Sequence, residues 1–241
     1  MSEDTPVEFL RRARRQGVQV AVAVSLYGIS FGALSVALGF TLWQTMVLSL
    51  VMFSGASQFA FIGIVGSGGV AAAGAAIASS GLLGVRNSLY ALRMSPLIGP
   101  GLLKRSLAAQ LTVDESTAVA VAQEDERAGR AGFWTTAWVL YLGWNLATLI
   151  GALAGDALGD VRLWGLDAVA AAAFLGLLWP RLSSLEPIAV AIAAAVVTVV
   201  LIPVVPAGIP VLAAAAVGIA LGLYRHRVAP RAREDSGGDG S

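Results

Sequence analysis

The residues able to do chemistry in this chain are few, and most of them lie in apolar surroundings. Between Gly17 and Val85 there is no Asp, Glu, Lys, Arg or His, yet "SGASQF" and the residues after it place Ser54, Ser57, Gln58 and Phe61 at i, i+3, i+4 and i+7. That spacing is one face of a helix. An amide or hydroxyl without a partner in hydrocarbon costs on the order of several kcal/mol, so this face must meet other helices or a water-filled cavity. It is either a hydrogen-bonded helix contact or part of a solute pathway. Downstream, "GVRNSLYALR" carries Arg86, Asn87 and Tyr90, and "TVDES" carries Asp114 and Glu115. A guanidinium inside a membrane costs about 2.5–3.5 kcal/mol on insertion scales and calls for a partner. Asp114 and Glu115 are the available acids. Two roles are open: a static ion pair tying two segments together, or a working site in which Arg86 attracts an anionic group while Asp114 or Glu115 takes up a proton. Asn145, in "GWNLAT", is expected to make an interhelical hydrogen bond.

The elements that would hold these groups are membrane helices. Of 241 residues, 57% are hydrophobic and only 13% charged, against roughly 25% charged in soluble domains. Apolar runs fall at Gly17–Phe40, Leu42–Gly66, Gly69–Ile98, Ser106–Ala122, Gly132–Gly155, Trp164–Pro180, Pro187–Pro203 and Ile209–Tyr224. Most approach the roughly 20 residues that a hydrocarbon layer of about 30 Å requires. The expectation is an all-α, polytopic transmembrane bundle of eight spans, with seven as the alternative and with the third and fourth irregular or broken. Residues 1–16 form a basic cytoplasmic N-terminus, 17–224 the transmembrane domain and 225–241 a disordered cytoplasmic tail. With eight crossings and the N-terminus inside, Arg11, Arg12, Arg14, Arg15, Arg127, Arg130, Arg181 and the Arg-rich tail are cytoplasmic, while Lys104, Arg105 and Arg162 are external. Seven crossings would put the basic tail outside, against the positive-inside bias.

The same inventory limits function. There is no Cys, and the one His, His226, lies in the tail, so no disulfide framework, thiol catalyst or Cys-based metal site is expected. No nucleophile–base arrangement or metal cluster is legible, and the chain reads as a non-enzyme without metal or cofactor. Its basic runs abut membrane segments, which makes them anchors at the lipid bilayer rather than nucleic-acid patches. Gly28 and Gly32 form a small-xxx-small pattern that favours close helix packing. Gly81 and Gly84, beside "SS", are expected to let the third helix unwind and present free N–H groups to a carboxylate.

Three stretches in order, "FGALSVALGFTLWQTMVLSLVMFSGASQFAFIGIVGSGG", "GVRNSLYALRMSP" and "LTVDESTAVA", resemble the AzlC family of branched-chain amino acid permeases, the large subunit of AzlC/AzlD-type two-component exporters. The similarity covers Gly17 to Val121 well, and "SGASQF" is its most specific piece. Where the family usually reads Asn-Leu-Arg-His, this chain has Gly84, Val85, Arg86 and Asn87, so the arginine carries over and a proton relay through that histidine does not. Asp114 and Glu115 carry over directly. The resemblance implies a multi-pass permease of the inner (plasma) membrane that exports Leu, Ile and Val with a small AzlD-type membrane subunit. A zwitterion with an apolar side chain needs carboxylate donors, an amine acceptor and a greasy pocket. Ser54, Ser57, Gln58, Arg86, Asn87 and Tyr90 are the expected substrate-binding residues, with Asp114, Glu115 and Arg86 coupling protons or pairing charges. On this reading Gln58→Ala abolishes efflux and leaves insertion intact.

Overall fold

The computed structural model describes residues 6–158, 175, 178–179, 182–206 and 209–235, and every regular element of more than one turn among them is a helix. Helices α1 (Pro6–Ser25) and α2 (Tyr27–Ala37) form one rod, since Leu26 between them keeps helical dihedrals of φ −61° and ψ −28°. The interruption follows Ser25, whose Oγ donates back to the Ala21 carbonyl at 2.7 Å, a bond that competes with the helical ladder. The rod ends where Gly39 takes φ 89°, allowing Phe40 N–H to reach the Ser35 carbonyl and Gly39 N–H the Val36 carbonyl. That is a Schellman closure, and it requires a residue free to adopt the left-handed region. The other long rod is α8 (Glu126–Leu158). Val7–Ala37 and Glu126–Gly155 are the two helices among the described residues that are long and apolar enough to cross a membrane.

These two rods pack side by side and run parallel. Gly17 lies opposite Thr136, Gly28 opposite Trp144 and Ala147, Gly32 opposite Thr148, and Ala33 opposite Gly155, so residue numbers rise together along the seam. The expectation that Gly28 and Gly32 serve packing holds: a Cβ on Gly28 would sit 2.8 Å from the Trp144 carbonyl oxygen, and one on Gly32 would overlap the Thr148 carbonyl. Parallel rods also bring Arg11–Arg15 and the pair Arg127 and Arg130 to one end of the molecule.

Between the rods the chain departs from eight crossings. Helices α3 (Leu42–Val51) and α4 (Gly55–Gly68) have 10 and 14 residues, each well short of a full span. Thr41 and Gln44 start α3 with a reciprocal capping box. Both outer ends of this pair lie at the C-terminal end of α2. Thr45 Oγ1 and Ser35 Oγ share a hydrogen bond of 2.7 Å, and Leu38 packs so closely on Gly66 that a Cβ there would come within 2.8 Å. The tip, Met52–Ser54, reaches the middle of α8, where the Tyr141 hydroxyl donates to the Leu50 carbonyl at 3.2 Å. The segment is a re-entrant hairpin.

Helix α5 (Ala73–Ile98) then runs unbroken to the opposite end, where the Leu97 carbonyl accepts from Arg130 Nε at 2.8 Å. From that end a second hairpin enters, built of α6 (Leu102–Leu111) and α7 (Asp114–Val121), of 10 and 8 residues. Arg105 holds its first limb to Ser95 at 2.9 Å, and Gln123 ties the end of its second to Gln16 at 3.0 Å. The two tips meet: Gln110 Nε2 donates to the carbonyls of Leu50 and Val51 at 3.1 and 3.0 Å. A long rod followed by a hairpin from its far end thus occurs twice with opposite direction, α1–α4 and α5–α7. This is the inverted-topology arrangement common in secondary transporters.

The expected course of the spans is corrected in part. The second apolar run folds back instead of crossing, and the fourth, expected to be irregular or broken, is broken between Leu111 and Asp114 and folds back as well. The third is continuous, and Gly81 and Gly84 sit inside α5: a Cβ on Gly81 would meet nothing within 4 Å, and one on Gly84 only Ser57 Oγ at 3.8 Å. The cost of a helical glycine, about 1 kcal/mol, is too small to open the helix alone. The last helices, α9 (Leu185–Leu201) and α10 (Ile209–Asp235), pack on each other, and α10 also touches α5. Helix α10 extends to Asp235, into the stretch expected to be a disordered tail. The sixth apolar run lies almost wholly outside the described residues.

Candidate functional site

Breaking a helix inside a membrane frees carbonyls at the end of one half and N–H groups at the start of the other, and only protein or water can satisfy them. At the end of α3 the protein does so. Met52 N–H and Gln58 Nε2 serve the Leu48 carbonyl at 3.0 and 3.2 Å, Gln58 also approaches the Ser49 carbonyl at 3.4 Å, and Gln110 and Tyr141 serve Leu50 and Val51. At the second tip Ser116 Oγ accepts from Val113 N–H at 3.0 Å and donates to the Leu111 carbonyl at 3.0 Å. Carbonyl ends are closed. The N–H end of α4 is not: Ser54 makes no side-chain cap there.

The N-termini of α4 and α7 flank a cavity of about 310 Å³ at mid-depth, lined by Ser54, Gly55 and Ala56 of α4, Val113, Asp114 and Glu115 at the second tip, Arg86 and Asn87 of α5, and Trp144 of α8. Small-molecule pockets begin at roughly this size. Arg86 Nη1 pairs with Asp114 Oδ2 at 2.9 Å, the two side chains keeping 32% and 27% of their exposure. The expected partnership between Arg86 and the acidic pair is present, and Asp114 is the acid that takes it. The pair is incomplete. Arg86 Nε, Asp114 Oδ1, Asn87 Oδ1 and Trp144 Nε1 are all buried without a hydrogen-bond partner, and all four side chains line this cavity. Two donors and two acceptors are left unpaired, just behind the surface, in side chains around one space whose remaining wall includes Val24, Phe53, Phe59 and Leu140.

Not every expected residue joins it. Ser54, Arg86, Asn87, Asp114 and Glu115 do. Ser57 is buried beside the cavity, donating to the Ser80 carbonyl at 2.9 Å and so fastening α4 to α5. Gln58 is fully buried against the end of α3, so its amide closes the backbone and does not face the cavity. Tyr90 is half-buried and lines neither this space nor the one behind it. Asn145 bonds within its own helix, Nδ2 to the Tyr141 carbonyl at 2.7 Å, not between helices. Trp144 was missed; tryptophan in an apolar run reads as packing, and it does stack on Phe31 with ring centroids 6.3 Å apart. Its ring also covers Gly55, where a Cβ would lie 3.2 Å away, which is how the tip of the first hairpin comes so near α8.

A second space, of about 380 Å³, lies across the first tip between α4, α5 and α6 and is lined by Ser57, Ser80, Gly81, Gly84, Gln110 and Thr112 among others. Phe53, Ser54 and Asn87 border both spaces and form the wall between them.

Residues 19–158, more than half of the chain, match the family described as AzlC protein. The chain belongs to the AzlC family. Both hairpins, the cavity's hairpin-tip and α5 residues, the second long rod and the first from Gln19 onward lie inside the matched region of this AzlC protein. Membership makes it a membrane protein of permease type, in keeping with its two long apolar rods. No curated protein and no solved structure matches it.

Proposed function

We infer that this AzlC protein is a secondary transporter that exports branched-chain amino acids, a multi-pass protein of the inner membrane working with a small AzlD-type subunit. The observation that carries the reading is the set of four unpaired groups around the cavity. Arg86 Nε–H, Trp144 Nε1–H and the uncapped N–H end of α4 suit a carboxylate. Asp114 Oδ1 and Asn87 Oδ1 suit an ammonium group, and the apolar wall suits an aliphatic side chain. Glu115, beside Asp114 in the same wall, is the group proposed to carry the coupling proton.

The two hairpins supply a route for movement. Their tips form the barrier between the two spaces, held by Gln110 on the Leu50 and Val51 carbonyls. In the proposed cycle one tip withdraws while the other stays, exposing the cavity to each side in turn. A continuous channel is disfavoured by the wall of Phe53, Ser54 and Asn87. The test is counterflow in proteoliposomes at two pH values, using labelled leucine against unlabelled leucine and two relatives that each lack one pole, isopentylamine and 4-methylpentanoate. Competition by leucine and by neither relative is the expected result. Equal competition by either relative would remove the two-pole site, and leucine release without the protein's counter-substrate would indicate a pore.

A further inference from the structure

Away from the transport path, the parallel packing of α1 on α8 leaves a cleft of about 350 Å³ at their shared N-terminal end, lined by Leu10, Arg14, Arg127, Arg130, Trp134 and Thr135. We propose that this cleft binds the phosphate headgroup of an anionic phospholipid. Three guanidinium groups, which stay charged at any physiological pH, converge there from two helices. Arg14 and Arg127 have no hydrogen-bond or ion-pair partner among the described residues. Arg130 is held by its Nε bond to the Leu97 carbonyl, which fixes the direction of its fork. Among the described residues no carboxylate lines the cleft. Of the nearby acids, Asp125 caps α8 through Ala128 N–H at 2.8 Å, Glu8 has a partner elsewhere, and Glu124 and Glu126 are exposed. Three like charges gathered without a counter-charge repel one another, and an anion relieves that repulsion.

The cleft's other lining decides which anion. Leu10, level with Arg127 and Arg130, and the half-buried Trp134 at the deeper end, its ring centroid 5.3 Å from that of Phe133, give it an apolar side. It lies at the end of the two rods long enough to cross a membrane, next to Arg11 and Arg15. Arginines at the end of the rods with a tryptophan at their deeper side match a phosphate at the cytoplasmic surface with acyl chains running down past Trp134. A soluble phosphate would use the guanidinium groups and leave Leu10 and Trp134 idle.

The experiment uses the full chain, purified in detergent, with native mass spectrometry and thermal melting. The probes are phosphatidylglycerol and phosphatidylcholine of the same acyl chains, and inorganic phosphate. Retained phosphatidylglycerol and a raised melting temperature are expected, with neither effect from phosphatidylcholine or phosphate. The double variant Arg14→Gln/Arg127→Gln keeps the Arg130–Leu97 bond and removes side chains that hold nothing in the fold, so its folding is not in question. It should lose about tenfold or more in phosphatidylglycerol occupancy. The variant Arg11→Gln/Arg15→Gln has the same net charge outside the cleft and should lose only a few-fold, the share due to general attraction. Equal losses in the two variants, no loss in the first, or an equal melting shift from inorganic phosphate would each overturn the proposal.

Discussion

The seam between the two rods and the meeting point of the two hairpins are built on opposite terms. Along the seam, Gly17, Gly28 and Gly32 face Gly143, Gly151 and Gly155 and their neighbours so closely that several positions have no room for a Cβ. Its polar groups are settled locally, as with Thr136 Oγ1 on the Gly132 carbonyl at 2.8 Å and Ser25 Oγ on the Ala21 carbonyl at 2.7 Å. At the hairpin tips the backbone is broken, side chains from three other helices repair the carbonyl ends, and among the described residues four side chains that line the cavity, as well as Gln58 Oε1 and Thr117 Oγ1, keep a buried polar atom without a partner. Dispersion and close backbone approach stabilise the seam. The tips give up that stability and keep free hydrogen-bonding capacity, which is what a solute stripped of water needs. A rigid parallel pair can hold a movable centre, because the groups that must change partners are absent from the seam.

Breaking the seam should have the largest effect. Gly32→Leu drives a side chain into the Thr148 carbonyl and the Ala152 amide, and the expected loss is about 3 kcal/mol or more, read as loss of a monodisperse peak after detergent extraction. A folded, stable variant would show that the rods are not held by close approach. At the tips, Val51→Cys with Gln110→Cys can be bridged by a short, reducible bis-methanethiosulfonate reagent in a chain with no other thiol. Leucine counterflow should fall to background and return on reduction; undiminished counterflow would mean that the tips need not part.

Asp114→Asn sharpens the contrast at the ion pair. Transport is expected to fall at least tenfold, with a stability cost below the roughly 3–5 kcal/mol of a fully buried pair, because both partners retain part of their exposure. The double variant Arg86→Gln/Asp114→Asn should recover the stability and not the transport. Recovery of both would reduce the pair to a static tie. Gln58→Ala leaves the Leu48 and Ser49 carbonyls without its amide, and about 1–3 kcal/mol of stability should go with it. Counterflow per folded molecule should be retained, the reverse of what the polar stripe in the sequence suggests. The smallest effect is expected at Gly81→Ala. With nothing within 4 Å of the added carbon, this change should raise stability by about 1 kcal/mol through helix propensity, the opposite sign to Gly32.

Much of the site was legible as a list of residues. Ser54, Arg86, Asn87, Asp114 and Glu115 stand out because charge and amide groups are costly in an apolar run, and all five line the cavity. Gln58 stood out for the same reason and turned out to close a helix end, since burial cost says that a polar group needs a partner without saying whether that partner is a ligand or a carbonyl. Trp144 gave no signal: its ring is at home in an apolar helix, and only the position of its Nε1 distinguishes it.

The sequence by itself determined the medium, the small-residue seam and the matching of an intramembrane arginine with the acids of "TVDES". Each follows from a local property: hydropathy over about 20 residues, a four-residue spacing, or the cost of an isolated charge. Only the tertiary structure decided that two of the apolar runs turn back half-way. An apolar stretch has the same composition whether it crosses or returns. What allows the return is a set of donors, Gln58, Gln110, Tyr141 and Ser116, that reach the freed carbonyls largely from other helices, and hydrogen bonds between positions distant in sequence leave no periodic trace along it.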